Sequence, residues 1–289
     1  MVMFVDVVPD RGLYPFESRW FTSSAGRMHY IDEGSGPVLL FCHGTPTWSF
    51  VYRRIVTALR DRYRCIAVDH LGFGLSERPD GFGYTIPDLS SALGELIDDL
   101  DLDGVVVMGQ DWGGPIGFGA AVRRAERVRG IVLGNAVFWP NDGLDKRIFS
   151  AVMSSRPMQR RIVDENLMVD RVLASELGTT LSAAEFEHYR AVQSVPEARA
   201  ALAVMPKEIR AARPFLAALE REVPRCLGGK PALAVWGMRD KVFRPRACLP
   251  RIRRAFTDLE VVELPGSGHV IQESAPSAIA AAIARRFPV

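Results

Sequence analysis

Three residues stand out by type and spacing as able to do chemistry together: Asp111, Asp240 and His269, in that order along the chain. Asp111 lies in "VVVMGQDWGG", where a run of branched apolar residues breaks into glycines around one acid. Such a run reads as a buried parallel strand that turns abruptly into a helix, with Pro115 in the first turn, where a missing N–H costs nothing. Gly109 and Gly113, two before and two after the acid, are the small residues that a tight strand-to-helix corner needs, which is the geometry of a nucleophile elbow. A carboxylate in that place differs from a serine because it is already an anion near neutral pH and needs no base to activate it. Attack on carbon then gives an alkyl ester, and a histidine is left free to activate the water that hydrolyses it. The alternative is that Asp111 only caps the helix that follows.

Asp240 closes "PALAVWGMRD" and is expected at the carboxyl end of a strand; His269 lies in "LPGSGH", on a loop of small residues. Nucleophile, acid and histidine in this order are what folds with such an elbow supply. Asp240 beside Lys241 also reads as a solvated turn residue, and Glu263, along a strand, is the weaker candidate acid. His43 belongs to a turn after an early strand, while His29, His70 and His188 lack an acid-and-loop context and read as structural or surface residues. In "CHGTPTWSF" the glycine turn can aim the Thr45 N–H at the same point as the N–H of Trp112, giving an oxyanion hole. An HG turn after a strand is common in this architecture whatever the activity, so it adds support only. The Trp112 indole N–H donates and cannot accept, so it can hold a departing anion such as halide beside the nucleophile. Its bland reading is packing beneath the helix.

These residues need a frame. "GPVLLFCHG", "RCIAVDHLG", "GVVVMGQD", "RGIVLGNA", "PALAVWGMRD" and "LEVVELPGSGH" are short, apolar and ended by glycine or an acid, and helix-like stretches such as "FVYRRIVTALRD" and "DLSSALGELIDDLDL" lie between them. Strand and helix in alternation predict a mostly parallel sheet with helices on both faces, whose ligands bind at the carboxyl ends of the strands. The alternation stops once, after "VLGNAVFWP", where a helical, methionine-bearing block (Met153, Met158, Met168, Met205) predicts an inserted cap. The expected division is 1–138 and 215–289 for the main domain and 139–214 for the cap. The methionines read first as core filler, although a cap over an apolar substrate uses the same residue type.

At 289 residues and 48% hydrophobic the chain can bury a full core, so disorder is excluded as the default. A formal charge of +2, with arginines in scattered pairs, argues against a nucleic-acid or membrane footprint. The N-terminal "MVMFVDVVPDRGLYPFESRW" lacks the basic head and unbroken apolar core of a signal peptide, and no run approaches a membrane span. Cys42, Cys65, Cys226 and Cys248 show no ligand-like spacing and read as free thiols. The expectation is a cytoplasmic protein with no disulfide, no metal and no cofactor, since Walker, dinucleotide and HExxH motifs are all missing.

Taken together, "HGTPTWSF", "DHLGFGLSERP", "GQDWGG", "WGMRD" and "GSGHVIQE" resemble, in order and spacing, the haloalkane dehalogenases, and the resemblance spans nearly the whole chain. It implies an α/β fold of the α/β-hydrolase type, a mostly parallel sheet flanked by helices with an inserted helical cap, acting on a small apolar halogenated substrate with water and releasing halide. By this likeness Asp111 is the nucleophile, His269 the base, Asp240 its orienting acid and Trp112 a halide donor. Some members carry the acid in the region that here reads "VLGNAVFW", with Asn135 and no carboxylate, so the chain looks like the Asp-His-Asp type and most like the third group of the family. Members of that group tend to associate, which leaves a homo-oligomer open. Many members have Asn directly after the HG pair as second halide donor; here it is Thr45, and the role falls to Thr45, Trp48 or Trp139, with slower turnover expected. The competing readings are an epoxide hydrolase, whose members use two cap tyrosines where this cap has only Tyr189, and a non-catalytic binding protein of the same fold. A fluoroacetate-type dehalogenase is expected to carry arginine after the nucleophile, and position 112 is Trp.

Overall fold

The computed structural model describes residues 5–178 and 180–289; the first four residues of the N-terminal segment discussed above lie outside them. Eight strands form one sheet: β1 (Arg19–Thr22), β2 (Arg27–Glu33), β3 (Val38–Cys42), β4 (Arg64–Val68), β5 (Val105–Gln110), β6 (Val128–Gly134), β7 (Ala232–Gly237) and β8 (Leu259–Leu264). Their order is β1-β2-β4-β3-β5-β6-β7-β8, antiparallel at β1–β2 and β2–β4 and parallel elsewhere. The parallel strands are those expected from their apolar runs, and β5 and β7 are buried along their whole length, as a sheet covered on both faces requires. The two antiparallel strands carry no such run. "RMHYIDE" has a histidine and two acids, and His29 is tolerated inside because Asp69, at the end of β4, accepts from its ring at 2.8 Å.

The chain leaves β3 for β4 on one side and returns to β5 on the other, so the order reverses between β3 and β5. The loops after these two strands therefore part from each other and open a crevice at the carboxyl edge. Cys42 and Gly109 are paired across that edge, which brings the turn at Gly44–Thr45 against Asp111.

Helices α1 (Arg53–Leu59), α2 (Ile86–Asp99) and α3 (Gly113–Val122) follow the early strands, and α4 (Leu144–Met153), α5 (Arg156–Asp164), α6 (Ala174–Leu177), α7 (Ala183–Ala191) and α8 (Ala200–Ala211) form the block after β6. α9 (Arg213–Leu227), α10 (Pro245–Ala255), α11 (Ile271–Ser274) and α12 (Pro276–Arg286) return to the sheet. α2 shows why the pattern folds as it does: Thr85 caps it by accepting from the Asp88 N–H, Pro87 occupies the first turn, and Leu89, Leu93, Leu96 and Ile97 make one buried stripe. Each such side chain taken out of water contributes roughly 1.5–3 kcal/mol. α2, α3 and α9 pack together, and α1 packs with α12. Between β6 and β7 no strand occurs among the described residues; α4 and α5 pack on α8, and a π-helical turn spans Met168–Leu173.

The helical block is tied to the main body by charge. Arg53 of α1 pairs with Glu185 of α7 and with Glu273 of α11, and Tyr189 of α7 donates to Glu273. Burial, hydrogen bonding to Ser182 and the Arg53 and Arg54 guanidiniums act together on Glu185; burial alone would raise its carboxyl, and the rest carry it down to about 2. All four cysteines are free, and no helix among the described residues is long and apolar enough to cross a membrane.

Candidate active site

Asp111 follows the last residue of β5 and precedes α3, with φ at +52°, a left-handed backbone that a non-glycine residue holds only when its surroundings dictate it. Its N–H donates to Asn135 O (3.2 Å), and its carbonyl accepts from the Gly114 N–H (3.0 Å). The glycines are demanded by proximity: a Cβ on Gly109 would stand 2.5 Å from Gly113 O, and one on Gly113 would stand 2.1 Å from Cys42 O. The corner thus brings the elbow onto the end of β3, and the Thr45 N–H donates to Asp111 Oδ2 at 3.0 Å. The Trp112 N–H stands at the start of α3, where a helix leaves its first amides without an internal acceptor.

Asp240 sits three residues beyond β7 and is buried, not solvated as the turn reading allowed. Its Oδ1 accepts from the backbone N–H groups of Val242 (2.6 Å) and Phe243 (3.1 Å), which leaves Oδ2 to accept from His269 Nδ1 at 3.0 Å. His269, on the loop after β8, turns its Nε2 to Asp111 Oδ1 at 3.6 Å. Burial by itself would lower this imidazole; the approach to Asp111 and the hydrogen bond to Asp240, with the charges of both carboxylates, outweigh it and raise it to about 10.

Asp111, His269, Thr45 and Trp112 open into one cavity of about 180 Å³, walled by Val137, Met168, Leu173, Met205, Leu216 and Phe243 among others. Two of the four cap methionines therefore line the cavity, while Met153 is buried and Met158 half-buried against the core. Lys146 and Glu176 are charged groups on its wall. The Trp112 indole N–H has no acceptor among the described residues.

Of the three candidates for a second halide donor, the structure removes one. Trp48 is fully buried, does not line the cavity, and gives its indole N–H to His188 O (3.1 Å). Thr45 and Trp139 both line the cavity; the Trp139 ring packs against Phe138 (4.9 Å between centroids) with the Arg251 guanidinium 4.6 Å from its centroid. The expectation that His29 lacks an acid is corrected: Asp69, forty residues away in sequence, is its partner, in a buried pair that also holds Ser18. His43 and His70 stack at 4.5 Å, and the His70 N–H donates to His43 Nε2.

Asn135 has a role that sequence reasoning left blank. Its side chain donates to Gly268 O (2.8 Å) and His269 O (2.9 Å) and accepts from the Gly237 N–H (2.8 Å), joining the ends of β6 and β7 to the histidine loop. The signal in the sequence was an asparagine after a strand where a backbone turn of positive φ is wanted; its φ is +45°.

The fold and this arrangement define an α/β hydrolase: residues 37–276 match the family described by the alpha/beta hydrolase fold. The chain is 57% identical to haloalkane dehalogenase 2 of Mycobacterium tuberculosis over 285 residues, covering 99% of this chain and all of that one. It superposes on the crystal structure of haloalkane dehalogenase DbeA from Bradyrhizobium elkani with a TM-score of 0.86 at 27% identity, covering 93% of this chain and 97% of that one. A shorter likeness, 40% identity over 126 residues, links it to a cis-3-alkyl-4-alkyloxetan-2-one decarboxylase of Shewanella oneidensis, covering 43% of this chain and 40% of that one. The chain belongs to the haloalkane dehalogenase family.

Proposed function

We propose that this protein hydrolyses carbon–halogen bonds of apolar halogenated alkanes, with residues 139–214 as the cap over the site. The observation that carries the reading is a carboxylate at the elbow whose immediate neighbour, Trp112, lines the same apolar cavity with an indole N–H that has no acceptor among the described residues. Asp111 Oδ2 is held by the Thr45 N–H, so Oδ1 is the attacking oxygen. It forms a bond to the halogen-bearing carbon as the halide leaves with the bonding pair, stabilised by Trp112 together with Thr45 or Trp139. A hydrogen bond to such an anion is worth about 1.5–3 kcal/mol.

Esterification removes the negative charge of Asp111, and one of the two carboxylates that hold His269 protonated is gone. The imidazole gives up its proton and becomes the base for the second step. His269 Nε2 takes a proton from water, the hydroxyl adds to the ester carbonyl, and the oxyanion is met by the N–H groups of Thr45 and Trp112. Collapse breaks the bond from the Asp111 carbonyl carbon to the alkoxide oxygen, the alkoxide takes a proton from the His269 imidazolium, and the new Asp111 acid returns its proton to the imidazole; with the proton His269 lost after esterification, alkyl halide and water give alcohol, halide and one proton. Incubation with brominated alkanes and measurement of bromide and alcohol in equal amounts tests the reading; diol from terminal epoxides without bromide would replace it. The epoxide reading has lost its donor, because Tyr189 is buried, bonded to Glu273 and absent from the cavity wall.

One second reading has an observation behind it. Trp48 is lost as a halide donor, and part of the chain is similar to an oxetanone decarboxylase. Asp111 can open a β-lactone at its saturated C–O carbon, releasing the ring carboxylate; loss of CO2 then forms the alkene and expels Asp111. That route needs no water, so His269→Ala would spare alkene formation while abolishing turnover of alkyl bromides.

A further inference from the structure

We propose that Gln110, the last residue of β5, is a positioning residue that holds His269 in the base form for ester hydrolysis. The inference rests on the covalent reading above and assigns a role to the elbow residue preceding the nucleophile. Gln110 is buried, and its amide nitrogen lies 3.2 Å from His269 O and 3.3 Å from His269 Nε2. A backbone carbonyl only accepts, so the Gln110 amide turns its NH2, not its oxygen, toward His269 O. The same nitrogen therefore presents N–H to the imidazole, and in the neutral ring, the form that follows esterification, Nε2 can meet it only as an acceptor. With Asp240 accepting at Nδ1, the Gln110 donor selects the neutral tautomer with hydrogen on Nδ1 and the lone pair on Nε2.

The charged groups facing His269 are Asp240 after β7 and Asp111 at the elbow; Glu176 of α6 lies on the wall of the same cavity, its carboxylate oxygen 3.4 Å from where a Cβ on Gly268 would stand. Lys146 of α4 is the cation on the wall of the same cavity. Asp111 and Asp240 favour imidazolium, and Gln110 opposes it from the base nitrogen itself. Once Asp111 is esterified, the Gln110 donor stays in place and the balance tips to the free base. Removing Gln110 leaves the base protonated at neutral pH for longer.

The test is rapid-quench kinetics on Gln110→Glu and Gln110→Met with 1-bromohexane as probe, following bromide burst and ester decay across pH. Near-normal bromide bursts are expected from both variants, with the pH midpoint of ester decay raised by about one unit in Gln110→Glu, a tenfold loss at neutral pH, and by less in Gln110→Met. A brace without electrostatic effect would slow decay in both variants at an unchanged midpoint, and that result overturns the proposal. A second measurement follows the His269 imidazole by 15N NMR in Asp111→Asn, which mimics the uncharged ester. The Nδ1–H tautomer at neutral pH, and its titration at higher pH when Gln110→Glu is added, supports the proposal; an Nε2–H tautomer overturns it. Wild-type enzyme that gives no burst and no ester overturns the covalent reading itself, an outcome distinct from an ester that decays with an unmoved midpoint.

Discussion

His269 Nε2 stands 3.6 Å from Asp111 Oδ1, beyond hydrogen-bond reach, while its Nδ1 is bonded to Asp240 at 3.0 Å. In a serine enzyme the corresponding nitrogen must take the nucleophile's proton. In the proposed reaction the attacking group is a carboxylate, which has no proton to give, and the spacing is consistent with an imidazole that acts on water.

The first consequence is a separable intermediate. His269→Ala should release close to one bromide per enzyme and stop, with Asp111 carrying the alkyl group; intact mass after exposure to 1-bromohexane checks it. An unmodified mass alongside continuing bromide release would contradict covalent catalysis. Asp111→Asn should release none at all.

Trp112 and Trp48 should behave oppositely. Trp112→Phe removes the proposed donor to the leaving anion, and a loss of about 1.5–3 kcal/mol corresponds to about a tenfold to hundredfold fall in kcat/KM for alkyl bromides. Trp48→Phe removes only the bond to His188 O, so thermal unfolding should shift by an amount equivalent to about 1 kcal/mol with halide release little changed.

His269 also links stability to pH. Its imidazole is raised to about 10 in the fold from ~6.5 in the unfolded chain, so the protonated group stabilises the native state fully below ~6.5. That contribution is lost as pH rises through about 10. Between those limits Tm should decline, and His269→Gln should flatten the decline; a slope unchanged by the substitution would place the linkage elsewhere.

Asn135→Ala leaves the Gly237 N–H and Gly268 O without this partner, while His269 O keeps the Gln110 amide and the Ile271 N–H. Buried unsatisfied groups cost about 1–3 kcal/mol each, so a loss of at least about 2 kcal/mol is expected in urea unfolding. Activity should fall further than stability explains, because the histidine loop loses its tie.

Gly109 and Gly113 announced the elbow because backbone collision at 2.5 Å and 2.1 Å leaves no room for a side chain, a constraint that local sequence shows directly. β1 and β2 are not legible, because "RWFT" is short and mostly exposed and "RMHYIDE" interleaves charged residues with apolar ones, its His29 being buried only with Asp69 beside it. Trp48 was a plausible donor by residue type and failed because the cap backbone at His188 had taken its N–H.

The order of residues alone determined the parallel strands, the strand ends that carry Asp111, Asp240 and His269, and the break in the strand–helix alternation after β6, because these follow from local periodicity and turn sterics. Tertiary structure decided that the Trp48 N–H is taken, which acid pairs with which histidine, and that Gln110 and Asn135 bond to the histidine loop, because each depends on atoms tens to more than a hundred residues apart meeting within about 3 Å.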